Sequence, residues 1–220
     1  MEGIDDSKVG AWLEANVPGF EAPYQYELIT GGHSNLTFAC IDNSGSRVVL
    51  RRPPLGHVLE SAHDMGREHK IISALESSSV PVPKTYGLCS DPEVNGASFY
   101  VMDFIDGVVL NDSTVSVAIQ DSDRPALGEH VINILCDLHA VDIDAVGLGD
   151  LGRKEAYLAR QLNRWSKQWV ASKTHEIPAM EACQTLLSER MPDQIGASIV
   201  HGDFRLGNMI VDGPRVLAIL

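Results

Sequence analysis

The chain has 220 residues, 44% of them hydrophobic and 21% charged, which is the balance of an ordinary globular protein long enough for one large domain or two small lobes. Its 17 Lys and Arg against 30 Asp and Glu give a formal net charge of −13, which argues against nucleic acid or an anionic membrane surface as the main partner. No run approaches the ~18 apolar residues of a membrane span, and the N-terminus has no apolar signal-peptide core, so a cytoplasmic protein is the expectation.

Residues 7–16, "SKVGAWLEAN", predict a short leading helix closed by Pro18-Gly19. From Tyr26 to Arg52 the strand-length runs "YELIT", "LTFACID" and "RVVLRR" are separated by the turn-forming "GGHSN" and "NSGS", a hairpin pattern. "HDMGREHKIISALE" repeats apolar residues at helical spacing through Met65, Ile72 and Leu75, and Pro81 and Pro83 end that unit. "SFYVMDFIDG" reads as a strand running into a turn.

Beyond Gly107 the character changes. Residues 123–140, 153–172 and 178–190 predict helices, the first with Leu127, Val131, Ile134, Leu135 and Leu138 as its apolar positions. The helix within "RKEAYLARQLNRWSKQW" is amphipathic, with Tyr157, Leu158, Leu162 and Trp165 as its apolar contacts, and the final 22 residues return to strand and loop. The organisation expected is α+β. A β-rich first lobe with one main helix spans 1–106 and ends at a hinge near 103–107. A helical second lobe bearing a β-hairpin spans 107–220. The four cysteines (Cys40, Cys89, Cys136, Cys183) have no metal-ligand spacing and read as reduced, mostly packed thiols, and His139 reads as a packed or capping residue.

Five stretches could carry chemistry. In "HGDFRLGN", Asp203 and Asn208 are separated by four residues, the spacing of a loop in which a carboxylate orients an attacking hydroxyl and an amide oxygen holds a Mg²⁺ ion on phosphates. Read alone, the octapeptide fits a simple Asx turn and a strand-entry cap equally well. In "VVLRR", Val49 and Arg51 share one strand face, which aligns Arg51 with the basic residue that reaches nucleotide phosphates; an exposed edge arginine is the alternative. Glu68 falls on the helical stripe of Met65, Ile72 and Leu75, so it is expected to pair with Arg51, unless helix drift leaves it solvated beside Arg67 and Lys70. "TGGHSNLTF" is either a plain hairpin turn or a phosphate-covering loop in which main-chain N–H groups from Gly31, Gly32, His33, Ser34 and Asn35 face anionic oxygens. "YVMDFIDG" is either an interlobe linker or a hinge offering main-chain groups of Asp103 and Ile105 to an adenine edge. There is no GxSxG, HExxH or GxxxxGK[ST] pattern.

The order of these stretches, with "GGHSNLTF", "VLRRPP", "REHKIISAL", "VPVPKTYGLC", "LHAVD" and "HGDFRLGNMIVD", resembles the aminoglycoside phosphotransferase/choline kinase family over almost the whole chain. It is most similar to a subgroup whose members occur beside or fused to acyl-CoA dehydrogenases. The resemblance implies a two-lobed protein-kinase-like fold and an ATP- and Mg²⁺-dependent kinase acting on a hydroxyl of a small metabolite, such as a hydroxyacyl-CoA. It implies Asp203 as catalytic base and Asn208 as Mg²⁺ ligand, with Arg205 neutralising charge near the transferred group. Arg51, held by Glu68, is implied on the phosphates under the Gly31–Asn35 turn, and Met102, Asp103 and Ile105 at the adenine. The family's second metal-binding Asp and its C-terminal helices are expected after Leu220, so the chain reads as truncated and of little or no activity, or alternatively as a non-catalytic nucleotide-binding module.

Overall fold

The structure, a computed structural model, describes residues 1–29, 35–56, 64–112 and 115–220. Gly31, Gly32, His33 and Ser34 lie outside the described residues. The first lobe runs α1 (Asp6–Asn16), β1 (Gln25–Leu28), β2 (Leu36–Ile41), β3 (Arg47–Arg52), α2 (Met65–Leu75), β4 (Thr85–Cys89), α3 (Pro92–Asn95) and β5 (Phe99–Asp103). Its five strands form one antiparallel sheet in the order β1-β2-β3-β5-β4. Carboxylates start the two main helices. Asp5 accepts from the Lys8 N–H at the head of α1 and Asp64 from the Arg67 N–H at the head of α2, each satisfying a donor that has no partner within the helix.

Strand alternation divides the sheet's two faces. Val48 and Leu50 turn with Phe38, Cys40, Phe99 and Val101 toward α1, whose Val9 and Leu13 are fully buried. Val49 turns the other way and packs with Met65 of α2, Tyr100 and Met102. Arg51 follows Val49 onto that second face, which is where α2 lies. β4 is a strand that sequence patterning does not single out. It is a sheet edge with a register irregularity between Thr85 and Gly87, and only Cys89 in it is fully buried. An edge strand carrying a glycine and proline-rich flanks shows neither the alternation nor the apolar run that marks an interior strand.

The second part contains α4 (Arg124–Ala140), α5 (Tyr157–Ser172), α6 (Pro178–Glu189), β6 (Met209–Asp212) and β7 (Arg215–Ile219). Leu127, Ile134 and Leu138 of α4 pack on Met209, Val211, Val216 and Ile219 of the β6–β7 hairpin, and Leu75 and Val80 of the first lobe join the same cluster. Main-chain bonds fix the hairpin against the rest. Val108 and Val211 exchange N–H···O bonds of 2.8 and 2.9 Å, and the Ile219 N–H donates to the Pro81 carbonyl at 2.9 Å. His130 of α4 accepts the Val216 N–H through Nδ1 at 3.0 Å. Among the described residues no helix is long and apolar enough to cross a membrane.

Three sequence expectations are corrected. α5 begins at Tyr157, not near 153, and none of its residues is buried: Tyr157, Leu158 and Trp165 are exposed. Its apolar stripe meets no core among the described residues. Cys40 and Cys89 are buried, but Cys136 and Cys183 are exposed, so only half of the thiols are packed. His139 is not packed: it sits exposed in the last turn of α4, a position that leaves the capping alternative standing.

Gly107 marks where the strand-rich part meets the hairpin. A Cβ there would lie 2.9 Å from the Val211 carbonyl oxygen and would collide with the Ile210 side chain. The Val108–Val211 bridge fixes both main chains, so neither can retreat. Gly107→Ala is expected to destabilise the fold by about 1–3 kcal/mol, the usual cost of overpacking, read as a lowered midpoint in urea unfolding.

Candidate active site

Two clusters of polar side chains flank one cleft. The first forms around Glu68, which α2 presents to the second face of the sheet. Its Oε2 accepts from Arg51 Nε at 2.9 Å and from the Tyr100 hydroxyl at 3.3 Å, and its Oε1 accepts from Asn35 Nδ2 at 3.0 Å. Arg51 is also within 3.4 Å of Thr37 Oγ1 through Nη1. The Arg51 and Glu68 side chains are 30% and 33% exposed, so the pair is screened from bulk solvent without being sealed from a ligand. Burial, with a smaller contribution from the Glu68 carboxylate, pushes the Tyr100 hydroxyl well above the usual phenol range, so it stays protonated and donates. Charge-assisted bonds of this kind are about twice as strong as neutral ones, and here they hold the guanidinium at one place.

The second cluster is the loop before β6. Gly202 has φ +85°, the left-handed conformation that a Cβ disfavours, and this lets the chain reverse between His201 and Asp203. Asp203 Oδ2 accepts from Arg205 Nε at 3.1 Å and from Asn208 Nδ2 at 2.8 Å, and Asn208 Nδ2 also donates to the Asp203 carbonyl at 2.9 Å. With its nitrogen turned to Asp203, the Asn208 amide directs its oxygen the other way. His201 ties the loop to the end of β7: Nδ1 accepts from the Asp203 N–H at 3.3 Å, and Nε2 lies 3.1 Å from the Leu220 carbonyl. The first contact makes Nδ1 the acceptor, so Nε2 carries the proton that is donated to Leu220.

The Arg205 guanidinium, and after it the Asn208 amide, hold the Asp203 carboxyl below the usual carboxylate range. A folded-state value below the unfolded one means that the interaction is present above the ordinary carboxylate pKa and lost as pH falls through the lowered value. Asp203 is therefore ionised throughout the neutral range. Arg205→Gln is expected to move the Asp203 titration upward, toward an ordinary aspartate, in a ¹³C carboxyl NMR titration.

Between the clusters lies a cleft of about 660 Å³, walled by Arg51, Glu68, Tyr100 and Met102 on one side and by Leu138, His201, Ile219 and Leu220 on the other. Asp203, Arg205, Asn208 and Asn35 are not in its lining; they reach it through His201 and Glu68. At the hinge, Met102 is buried, the Asp103 N–H donates to the Lys84 carbonyl at 2.8 Å, and Asp103 Oδ1 accepts from the Tyr86 hydroxyl at 2.6 Å. Burial and that hydrogen bond push the Tyr86 hydroxyl up to about 12. The Asp103 N–H is thus committed within the sheet. Tyr100 and His201 open the stretches "YVMDFIDG" and "HGDFRLGN" without a spacing that marks their own roles, and His130 of α4 lies in no motif. The one available signal is that a phenol or imidazole in an apolar run needs a polar partner.

The arrangement offers a fixed cation in a cleft, an ionised carboxylate on an adjoining loop and an amide oxygen one turn away. Among the described residues no group of three or more His, Cys, Asp or Glu could hold a metal ion unaided. The Asn208 amide oxygen, left free of Asp203 by the turn of its nitrogen, does fit a hard cation such as Mg²⁺, which takes one or two protein ligands and completes its shell with water and phosphate.

Comparison with known proteins agrees with this layout. The model of the phosphotransferase enzyme family matches residues 25–220. Acyl-CoA dehydrogenase family member 10 of Mus musculus is 38% identical over 191 residues, covering 86% of this chain and 18% of that protein. A probable acyl-CoA dehydrogenase of Arabidopsis thaliana is 40% identical over 222 residues, covering 93% of this chain and 27% of that protein. The chain thus spans about a fifth to a quarter of the length of these curated relatives. A crystal structure from Ralstonia eutropha, described as a candidate aminoglycoside phosphotransferase, is 36% identical with a TM-score of 0.84, covering 98% of this chain and 64% of that one. The GDP complex of aminoglycoside 2'-phosphotransferase-IIIa has a TM-score of 0.65 at 15% identity, covering 98% of this chain and 71% of its own, a likeness of fold. The protein has the two-lobed kinase-like fold, and the chain belongs to the phosphotransferase enzyme family.

Proposed function

We propose that the protein transfers the γ-phosphoryl group of ATP to a hydroxyl of a small metabolite, with Mg²⁺ as the metal. The observation that carries the reading is the Asp203 carboxylate, kept ionised by Arg205 and Asn208 on a loop that His201 joins to the cleft holding Arg51 and Glu68. Asp203 orients and accepts the proton of the attacking hydroxyl, Arg51 binds the phosphates from the position that Glu68 sets, and Arg205 offsets charge at the transferred group. Asn208, through the amide oxygen that faces away from Asp203, would hold Mg²⁺, which when bound neutralises charge on the phosphates. Met102 borders the base, and the Asp103 carbonyl and the Ile105 N–H meet its edge.

The acceptor we propose is a hydroxyacyl thioester, and we propose a functional association with an acyl-CoA dehydrogenase. Support comes from the names of the curated relatives, which are 34–40% identical to this chain. The test is incubation with γ-labelled ATP, Mg²⁺ and a panel of alcohols that includes aminoglycosides, choline, sugars and hydroxyacyl-CoAs. Label on a hydroxyacyl-CoA, and on none of the others, is the expected result. Label on an aminoglycoside alone would refute the acceptor assignment.

A further inference from the structure

One arginine grips the hinge from the sheet. In the β3–β5 ladder Val48 stands opposite Asp103, so the next position places Arg47 opposite Phe104, the first residue beyond β5. There the Arg47 guanidinium carbon lies 4.0 Å from the Phe104 ring centroid, and Nη2 bonds Asp106 Oδ1. Ile105 lies between two residues held by the same side chain. On the opposite flank the Lys84 carbonyl, just before β4, and the Tyr86 hydroxyl of β4 hold Asp103. The Arg47 contacts therefore act on the part of the hinge that has already left the sheet, beside the packing of Phe104 against Val49, Tyr100 and Met102.

We propose that Arg47 is a positioning residue for the nucleotide base: by fixing Phe104 and Asp106 it orients the Ile105 N–H toward the cleft. The proposal rests on the reading that the base sits at the hinge. The Asp106 side chain is 78% exposed and that of Arg47 37%. Neither contact is strong alone. A cation over a half-buried ring and a surface ion pair each contribute up to about fivefold in an equilibrium constant. Their joint effect falls on the base and not on the phosphates, which Arg51 holds elsewhere on the sheet.

The experiment compares ATP with inorganic tripolyphosphate, which lacks the base, in calorimetric titrations of the wild-type protein, Arg47→Ala and Arg47→Lys, beside hydrogen exchange of the Ile105 amide without ligand. Arg47→Ala is expected to bind ATP about three- to tenfold more weakly and tripolyphosphate as before, with faster Ile105 exchange; Arg47→Lys, which keeps the charge over the ring, should lie between. Equal loss for both ligands would overturn the proposal, because it would place the effect on general folding. Unchanged ATP affinity and Ile105 exchange would also overturn it. A wild-type protein that binds ATP no more tightly than tripolyphosphate overturns the placement of the base at the hinge. That failure is told apart because it appears without any substitution.

Discussion

Asp203→Ala is expected to lower kcat for phosphoryl transfer by about 10²- to 10⁴-fold, the usual contribution of a positioned general base, while ATP affinity changes only a few-fold. The split follows from the geometry. Asp203 is on the loop before β6 and outside the cleft lining, so its loss removes no contact between Arg51 or the hinge and the nucleotide. It does remove the anchor of the Asn208 and Arg205 side chains and, in the proposed reaction, the acceptor for the hydroxyl proton. Asp203→Asn, which keeps the shape and removes the charge, is expected to be nearly as slow. Asn208→Ala should differ, with a smaller loss of kcat at saturating metal and a marked rise in the Mg²⁺ concentration required. Steady-state kinetics at several metal concentrations checks both, and a Asp203→Ala protein with normal turnover would remove Asp203 from the reaction.

The second large effect is expected at the Arg51–Glu68 pair. Arg51→Met should weaken ATP binding about 10- to 100-fold, since charge-assisted bonds contribute about 1.5–3 kcal/mol and an unneutralised Glu68 would then face the phosphates. Glu68→Ala should cost about tenfold, because Arg51 keeps its charge and loses its anchor. The double variant is then expected to bind better than the sum of the two losses predicts, as removing both partners leaves no uncompensated charge. Strict additivity in ATP titrations would mean that the pair does not act as a unit. Asn35 and Tyr100, which also bond Glu68, would hold the carboxylate in place in Arg51→Met and so sustain the repulsion.

The Arg51–Glu68 contact was legible because two periodicities intersect there. Alternation along β3 puts Arg51 on the face of Val49, and the helical stripe of α2 puts Glu68 beside Met65 and Ile72. The order of strands up to β3, the α2 helix, β5 and the terminal hairpin followed from turn residues and apolar spacing in the same way. β4 was not legible, because an edge strand broken by Gly87 has neither signal. The partners of Glu68 beyond Arg51 were hidden differently. Asn35 appears in sequence as part of a glycine-rich turn, yet its amide goes to a carboxylate 33 residues away. Tyr100 sits in an apolar strand that hides its hydroxyl. His201 and His130 bind main-chain groups 19 and 86 residues distant, and no local pattern encodes such contacts. The α5 stripe was legible as a pattern but not as a contact, since amphipathic spacing shows which face is apolar and not what meets it.

The central claim is that the cleft between Arg51–Glu68 and the Asp203 loop binds a metal–nucleotide complex. Calorimetric titration of ATP into the protein, with Mg²⁺ and with EDTA, tests it most directly. The account predicts one ATP site per chain that tightens when Mg²⁺ is present, and a loss of that metal dependence in Asn208→Ala. Saturable ATP binding that is indifferent to Mg²⁺ and to Asn208, or no ATP binding in either condition, would contradict it.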